Sequence, residues 1–82
     1  MKANAMFIHR QKPQIAIQSA MGDFFAIQIG ARGDVRLSDE ITGDLATADV
    51  KWFFNVTQGT LFKLRVLGKF ANLKSAIHAA GG

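Results

Sequence analysis

Apolar side chains occupy alternate positions in several segments of the sequence, and this period of two constrains the fold more than any other feature. Between residues 60 and 67, Phe62, Leu64 and Val66 alternate with Lys63 and Arg65. Because successive side chains of a β-strand point to opposite faces, this pattern predicts a strand with one apolar and one basic face. We therefore expect the three apolar residues in the core and both cations exposed.

Weaker alternation predicts further strands at residues 5–9, 14–20, 24–29 and 34–37, joined by turn-forming sequences into an antiparallel meander. The last of these would turn Val35 and Leu37 inward. Residues 38–49 are polar and turn-rich. Within them Asp39 and Glu40 are adjacent, which indicates a polar turn rather than a pair of catalytic carboxylates.

Residues 47–57 fit two structures. As a helix, the segment would be capped by Asp44 or Thr47 and would end at Gly59, with Val50, Phe53 and Phe54 inward. As a strand it alternates equally well, and its aromatic and β-branched residues favour that structure. The caps and the length favour the helix, which is the prediction adopted.

A C-terminal helix is predicted over residues 73–80, with Asn72 as its N-cap and Gly81 just past its end. Lys74 and His78, four residues apart, would share its wet side. The predicted fold class is therefore α+β, a small antiparallel sheet of four to five strands with one or two helices packed on one face.

The length of 82 residues indicates a single globular domain spanning residues 1–82. The chain has no cysteine, which excludes disulfides, thiolate metal sites and a cysteine nucleophile. No apolar run approaches the length that a transmembrane helix needs, and the first residues do not form a signal-peptide core. We expect a cytoplasmic protein that does not engage a membrane.

Charge is distributed unevenly along the chain. All six acidic residues lie between residues 23 and 49, whereas residues 50–82 contain five lysines and arginines and no acid. In this last part, basic residues are interleaved with aromatic ones, a pattern that suits phosphates and stacked bases or an acidic protein surface. The candidate binding residues are Lys51, Trp52, Lys63, Arg65, Lys69 and Lys74.

The consecutive aromatic residues at positions 52–54 have a competing role. A domain this small needs its large apolar side chains inside, so the core is the expected place for Trp52, Phe53 and Phe54. Trp52 is the one for which exposure is the more serious alternative, because an exposed indole ring could stack on a base.

Catalysis finds little support in the sequence. The two histidines, His9 and His78, lie near opposite ends of the chain, and nothing orients His78 against Ser75, three residues before it. No phosphate-binding glycine loop is present. We expect a non-enzymatic protein with no cofactor and no metal site.

Two function classes remain. The first is a small protein-binding module that modulates or inhibits a larger partner, as phage and mobile-element proteins do, and that docks by a basic face or a sheet edge. The second is a nucleic-acid-binding domain that uses the basic and aromatic face of residues 50–74. The partner would be a larger protein or nucleoprotein, or nucleic acid, and the domain could also form a homodimer.

Overall fold

The computed structural model describes residues 2–9, 11–30, 35–43 and 50–81, apart from the side chains of Val50 and Lys51. These residues form six strands and one helix. In chain order the elements are β1 (Lys2–Ile8), β2 (Gln14–Ser19), β3 (Phe24–Ile29), β4 (Glu40–Thr42), β5 (Val50–Asn55), β6 (Thr60–Phe70) and α1 (Leu73–Ala79). Within these ranges no helix has the length and hydropathy needed to span a membrane.

The six strands close into an antiparallel barrel in the order β1-β2-β3-β6-β5-β4, with β4 pairing back to β1. The predicted α+β class, an open sheet of four to five strands with helices on one face, is therefore wrong. Closure gives every described strand a neighbour on both sides, so none remains an open sheet edge along its whole length. Because β4 pairs only with residues 2–4 of β1 and with Phe54 and Asn55 of β5, parts of β1 and β5 have no ladder partner on that side, and docking by a sheet edge stays a prediction.

Residues 50–55 form a strand, and the helix predicted over 47–57 is wrong for its described part; residues 47–49 lie outside the described ranges. Val50–Asn55 pairs along its whole length with β6, and its last two residues pair with β4. In this register Phe53 lies opposite Phe62, and the two ring centroids are 6.4 Å apart inside the barrel. Burying both aromatic rings in the core favours the strand over the caps that suggested a helix.

The loop before the barrel's shortest strand also differs from the prediction. Residues 35–37 form no strand, and although Val35 is buried as expected, Leu37 is 62% exposed. Asp34, the first residue of the predicted strand, lies outside the described ranges. The strand that does form, β4, lies in the stretch predicted as turns, and only Ile41 within it enters the core.

The barrel interior holds the alternating apolar residues. Phe62, Leu64 and Val66 are buried and Lys63 and Arg65 are exposed, which confirms the prediction for this strand. Ile15, Ile17, Phe25 and Ile27 enter the same core from β2 and β3. The core is thus built from both halves of the chain.

A one-residue shift in register bends β6 near its middle. Ile27 pairs with Val66, but the preceding residue Ala26 pairs with Gly68, so Leu67 has no partner across the ladder. Such a bulge increases the local twist and reverses the faces beyond it. Outward-facing positions are therefore odd-numbered up to Arg65, and even-numbered from Gly68 onward.

Helix α1 lies on the outside of the barrel against β2, β3 and β6. Ala16, Ala26 and Gly68 lie side by side across these strands, so this part of the barrel wall carries only small side chains. Ala76 and Ala80 are fully buried against the barrel wall. Small residues on both sides let the helix pack closely, which explains why an alanine-rich segment can dock there.

Both ends of α1 are fixed by hydrogen bonds. The Ser75 backbone N–H donates to Oδ1 of Asn72 over 2.8 Å, and Gly81 follows the helix with φ of +91°, so the predicted N-cap and terminator are confirmed. Nδ1 of His9 accepts the backbone N–H groups of Gln11 and Lys12, each over 3.0 Å. The ring hydrogen therefore lies on Nε2, which donates to the Gly81 carbonyl over 3.1 Å.

Candidate functional site

The outward side chains of β5 and β6 form the most distinctive surface of the described structure. Cross-strand pairing places Trp52 opposite Lys63 and Phe54 opposite Leu61, while Arg65 follows on the same side of β6. We call these five residues the β5–β6 face. Because pairs directly opposite in an antiparallel ladder are in contact range, they form a continuous patch.

Three of the five side chains on the β5–β6 face are apolar. Trp52 is 62% exposed, Leu61 is 66% exposed, and Phe54 is 38% exposed. The core position expected for Trp52 and Phe54 is therefore wrong, whereas Phe53, between them, is buried as expected. The reason is the period of two: in a strand that puts Phe53 inside, both neighbours must point outward.

The other two side chains of the face are the cations Lys63 and Arg65. Nζ of Lys63 lies 5.1 Å from the centroid of the Trp52 ring, a cation–π contact that holds the indole in place. Arg65 is exposed beside Gln28 of β3, its cross-strand partner. A shallow groove of about 460 Å³ continues the surface toward Gln28, Gly30 and Pro13.

The turn between β5 and β6 is held by a buried polar cluster. Oδ2 of Asp39 accepts hydrogen bonds from Nδ2 of Asn55 (2.9 Å), Nε2 of Gln58 (3.1 Å) and the Arg36 backbone N–H (2.8 Å). Oδ1 of Asn55 accepts the Gln58 backbone N–H over 3.0 Å. Asp39 is thus a buried structural anchor rather than the polar turn residue that the sequence suggested.

The protonation of Asp39 follows from these contacts. Burial raises the pKa of the carboxyl, but the hydrogen bonds from Asn55, the Arg36 backbone and Gln58 outweigh burial, and the pKa lies below its ordinary value. Asp39 is therefore ionised at neutral pH. The charged hydrogen bonds fix the hairpin that carries the β5–β6 face.

A second set of contacts ties the same turn to β4. The Glu40 backbone N–H donates to Oγ1 of Thr57 over 2.9 Å, and the Val56 N–H donates to the Glu40 carbonyl over 2.8 Å. Gly59 closes the turn with φ of +70°, a conformation that favours glycine. The β5–β6 face is therefore presented by a rigid hairpin.

The structure brings together only part of the predicted basic surface. Trp52, Lys63 and Arg65 share the β5–β6 face, but the bulge at Leu67 places Lys69 on the opposite side of β6. There its ammonium lies 3.4 Å from the Asp23 carboxylate. Lys74 is on α1, away from β5.

One predicted site residue, Lys51, cannot be placed on the face, and two residues that do lie on the face, Leu61 and Phe54, were not predicted. The backbone of Lys51 pairs with Leu64, and its side chain lies outside the described part of the structure. Leu61 and Phe54 were not predicted as site residues. The alternation itself contains the signal for both, since Leu61 precedes Phe62 and Phe54 follows Phe53.

The described residues contain no group of three or more histidine, aspartate or glutamate side chains that could hold a metal ion.

Comparisons with known proteins identify no relative, since no protein family, curated protein or solved structure matches the chain.

Proposed function

We propose that this chain is a non-enzymatic protein-binding module that docks on a larger partner through the β5–β6 face. The observation that carries the proposal is the exposure of Trp52 and Leu61, at 62% and 66%, next to two cations. Contiguous exposed apolar side chains are costly to leave in water, and in small soluble proteins they commonly mark interaction sites. Aromatic residues and arginine are also the side chains enriched at the centres of protein interfaces.

The chemistry of the face defines its partner. Trp52, Phe54 and Leu61 would be desolvated by an apolar surface, and Lys63 and Arg65 would meet acidic groups at the rim. The hydrogen-bonded hairpin beneath them reduces the entropy lost on binding, because the face does not have to be ordered first. A domain with these properties suits a cytoplasmic modulator or inhibitor of a larger protein, such as mobile elements encode.

A second candidate function is the binding of single-stranded nucleic acid. The observation that favours it is the cation–π pair of Trp52 and Lys63, which lies beside the groove at Gln28 and Arg65. An exposed indole offers a base a stacking platform, and the two cations would neutralise phosphates. Among the described side chains, only Lys63 and Arg65 supply positive charge to the β5–β6 face, and the protein partner is therefore the better-supported proposal.

Capture from a lysate of the source organism tests the main proposal with a matched pair of variants. Leu61→Ser removes an apolar side chain from the β5–β6 face, whereas Leu37→Ser makes the same change at an equally exposed position in the turn before β4. We expect wild type and Leu37→Ser to retain the same protein after nuclease treatment, and Leu61→Ser to lose it. Equal capture by all three would contradict the proposal.

Salt dependence separates the two partner classes. For nucleic acid, the logarithm of affinity should fall linearly with the logarithm of salt, with a slope of about −0.7 for each neutralised phosphate on a single strand. For a protein partner, salt should mainly slow association and leave dissociation nearly unchanged. A homodimer through the same face would appear instead as sedimentation that depends on protein concentration and is lost in Leu61→Ser.

A further inference from the structure

A second apolar surface lies between α1 and the end of β6. Phe70, Leu73 and Ile77 line an open groove of about 800 Å³ between these two elements. Gly68 leaves room for this arrangement: a Cβ atom at this position would lie 2.9 Å from Cζ of Phe70, so the ring would have to shift. Leu73 and Ile77 are half-exposed.

Among the described residues that line this groove, the ionisable side chains are Lys74 and His78, and none is acidic. Asp23, which adjoins the strand residue opposite Phe70, already has the Lys69 ammonium 3.4 Å away. The Lys74 side chain is exposed, one helical turn before His78 on the same side of α1. A ligand in the groove would therefore meet an apolar floor and a cationic rim.

We propose that this groove binds a small amphipathic anion, with its apolar body on Phe70, Leu73 and Ile77 and its carboxylate or phosphate on Lys74. The groove volume falls within the range of about 300–1,000 Å³ that small-molecule sites occupy. Charge complementarity selects an anion over a cation or a neutral amphiphile. The site is independent of the β5–β6 face, because Phe70 lies about 23 Å along β6 from Lys63 at the usual rise per residue.

Titration with dodecanoate, kept below its micelle-forming concentration, tests the proposal by nuclear magnetic resonance. We expect saturable chemical-shift changes in the resonances of Phe70, Leu73 and Ile77, and none in those of Trp52. Dodecyltrimethylammonium, which has the same chain and the opposite charge, is expected to bind at least about tenfold more weakly, as one charge-assisted contact would give. Lys74→Glu should weaken dodecanoate binding by about tenfold on the same grounds.

Lys2→Glu is the matched control, since it reverses an exposed charge on β1, a strand outside the groove. It should bind dodecanoate as wild type does. The proposal is overturned if no saturable shifts appear, if both amphiphiles bind equally, or if Lys74→Glu binds normally. It is also overturned if the shifts appear only with vesicles containing phosphatidylglycerol, which would indicate a membrane surface. The proposal is overturned as well if the resonances of the groove residues shift with protein concentration alone, because a second copy of the chain would then fill the groove.

Discussion

Replacing Asn55 by aspartate is the sharpest perturbation that the buried cluster around Asp39 allows. The change preserves the shape of the side chain but exchanges the Nδ2 donor, 2.9 Å from Oδ2 of Asp39, for a second carboxylate oxygen. Asn55 is fully buried and Asp39 is 5% exposed. Two carboxylates so close cannot both stay ionised, so the folded pair must bind one proton.

The cost of holding that proton depends on pH. It amounts to about 1.4 kcal/mol for each pH unit above the ordinary carboxyl pKa near 4, or about 4 kcal/mol at pH 7. A domain of this size has about 4–12 kcal/mol of stability in total. Asn55→Asp should therefore be close to unfolding at neutral pH and should regain most of the loss as the pH falls toward about 4.5.

The wild-type protein should respond to pH in the opposite sense. Burial raises the pKa of Asp39, but its hydrogen bonds outweigh burial and the pKa lies below the ordinary value of 3.8. The stability that the ionised carboxylate contributes is therefore complete above about pH 4 and is lost as the pH falls through the lowered folded pKa. Acidification from pH 7 toward about 4.5 should therefore strengthen Asn55→Asp and leave this contribution to the wild type intact, and only below about pH 4 should acid weaken the wild type.

Urea unfolding at several pH values, followed by circular dichroism, measures both trends. Asn55→Ala should lose about 1.5–3 kcal/mol for the missing hydrogen bond to a charged group, without the reversed pH dependence. Asn72→Asp makes the same chemical change at the exposed N-cap, where a carboxylate can still accept the Ser75 N–H, and should change stability little. If Asn55→Asp followed the pH dependence of the wild type, the reasoning about Asp39 would be refuted.

Three further substitutions test the fold by measured stability. Leu64→Ala should lower the free energy of unfolding by about 2–5 kcal/mol, because Leu64 is 1% exposed, and a loss below 1 kcal/mol would contradict its core position. Asn72→Ala should lower it by about 1 kcal/mol, and an unchanged Tm would argue against the cap. Ala76→Leu should push α1 off the small residues of the barrel wall at a cost of about 1–3 kcal/mol. Hydrogen exchange of the helix amides should then accelerate, and unchanged protection would disprove the close packing.

Local patterns in the sequence predicted the elements that local physics determines. The period of two between residues 60 and 67 was sufficient to place Leu64 inside and Lys63 outside, because strand geometry alone fixes that choice. The N-cap at Asn72 was likewise readable, since its hydrogen bond reaches only three residues along the chain.

Barrel closure could not be predicted in the same way, because it depends on pairing between distant segments. The closing strand β4 has three residues, and it is held by β1 on one side and β5 on the other. Nothing in its short polar sequence signals a strand. The choice between helix and strand for residues 50–55 depended on the same pairing, since both structures satisfy the local pattern.

The candidate site was predictable in part. Lys63 and Arg65 followed from alternation, but Trp52 and Phe54 were assigned to the core on size alone, although strand periodicity separates them from Phe53. Lys69 was grouped with the other cations because a bulge leaves no clear mark in a sequence, and the shift at Leu67 reverses its face.

The affinity of the captured partner for Trp52→Ala tests the central proposal most directly. Trp52 is 62% exposed, so the substitution should leave the free energy of unfolding unchanged within about 0.5 kcal/mol. If the β5–β6 face is the docking surface, loss of its largest side chain should weaken binding by at least about 30-fold, equivalent to about 2 kcal/mol. Binding within about twofold of wild type, by a variant of unchanged stability, would contradict the account.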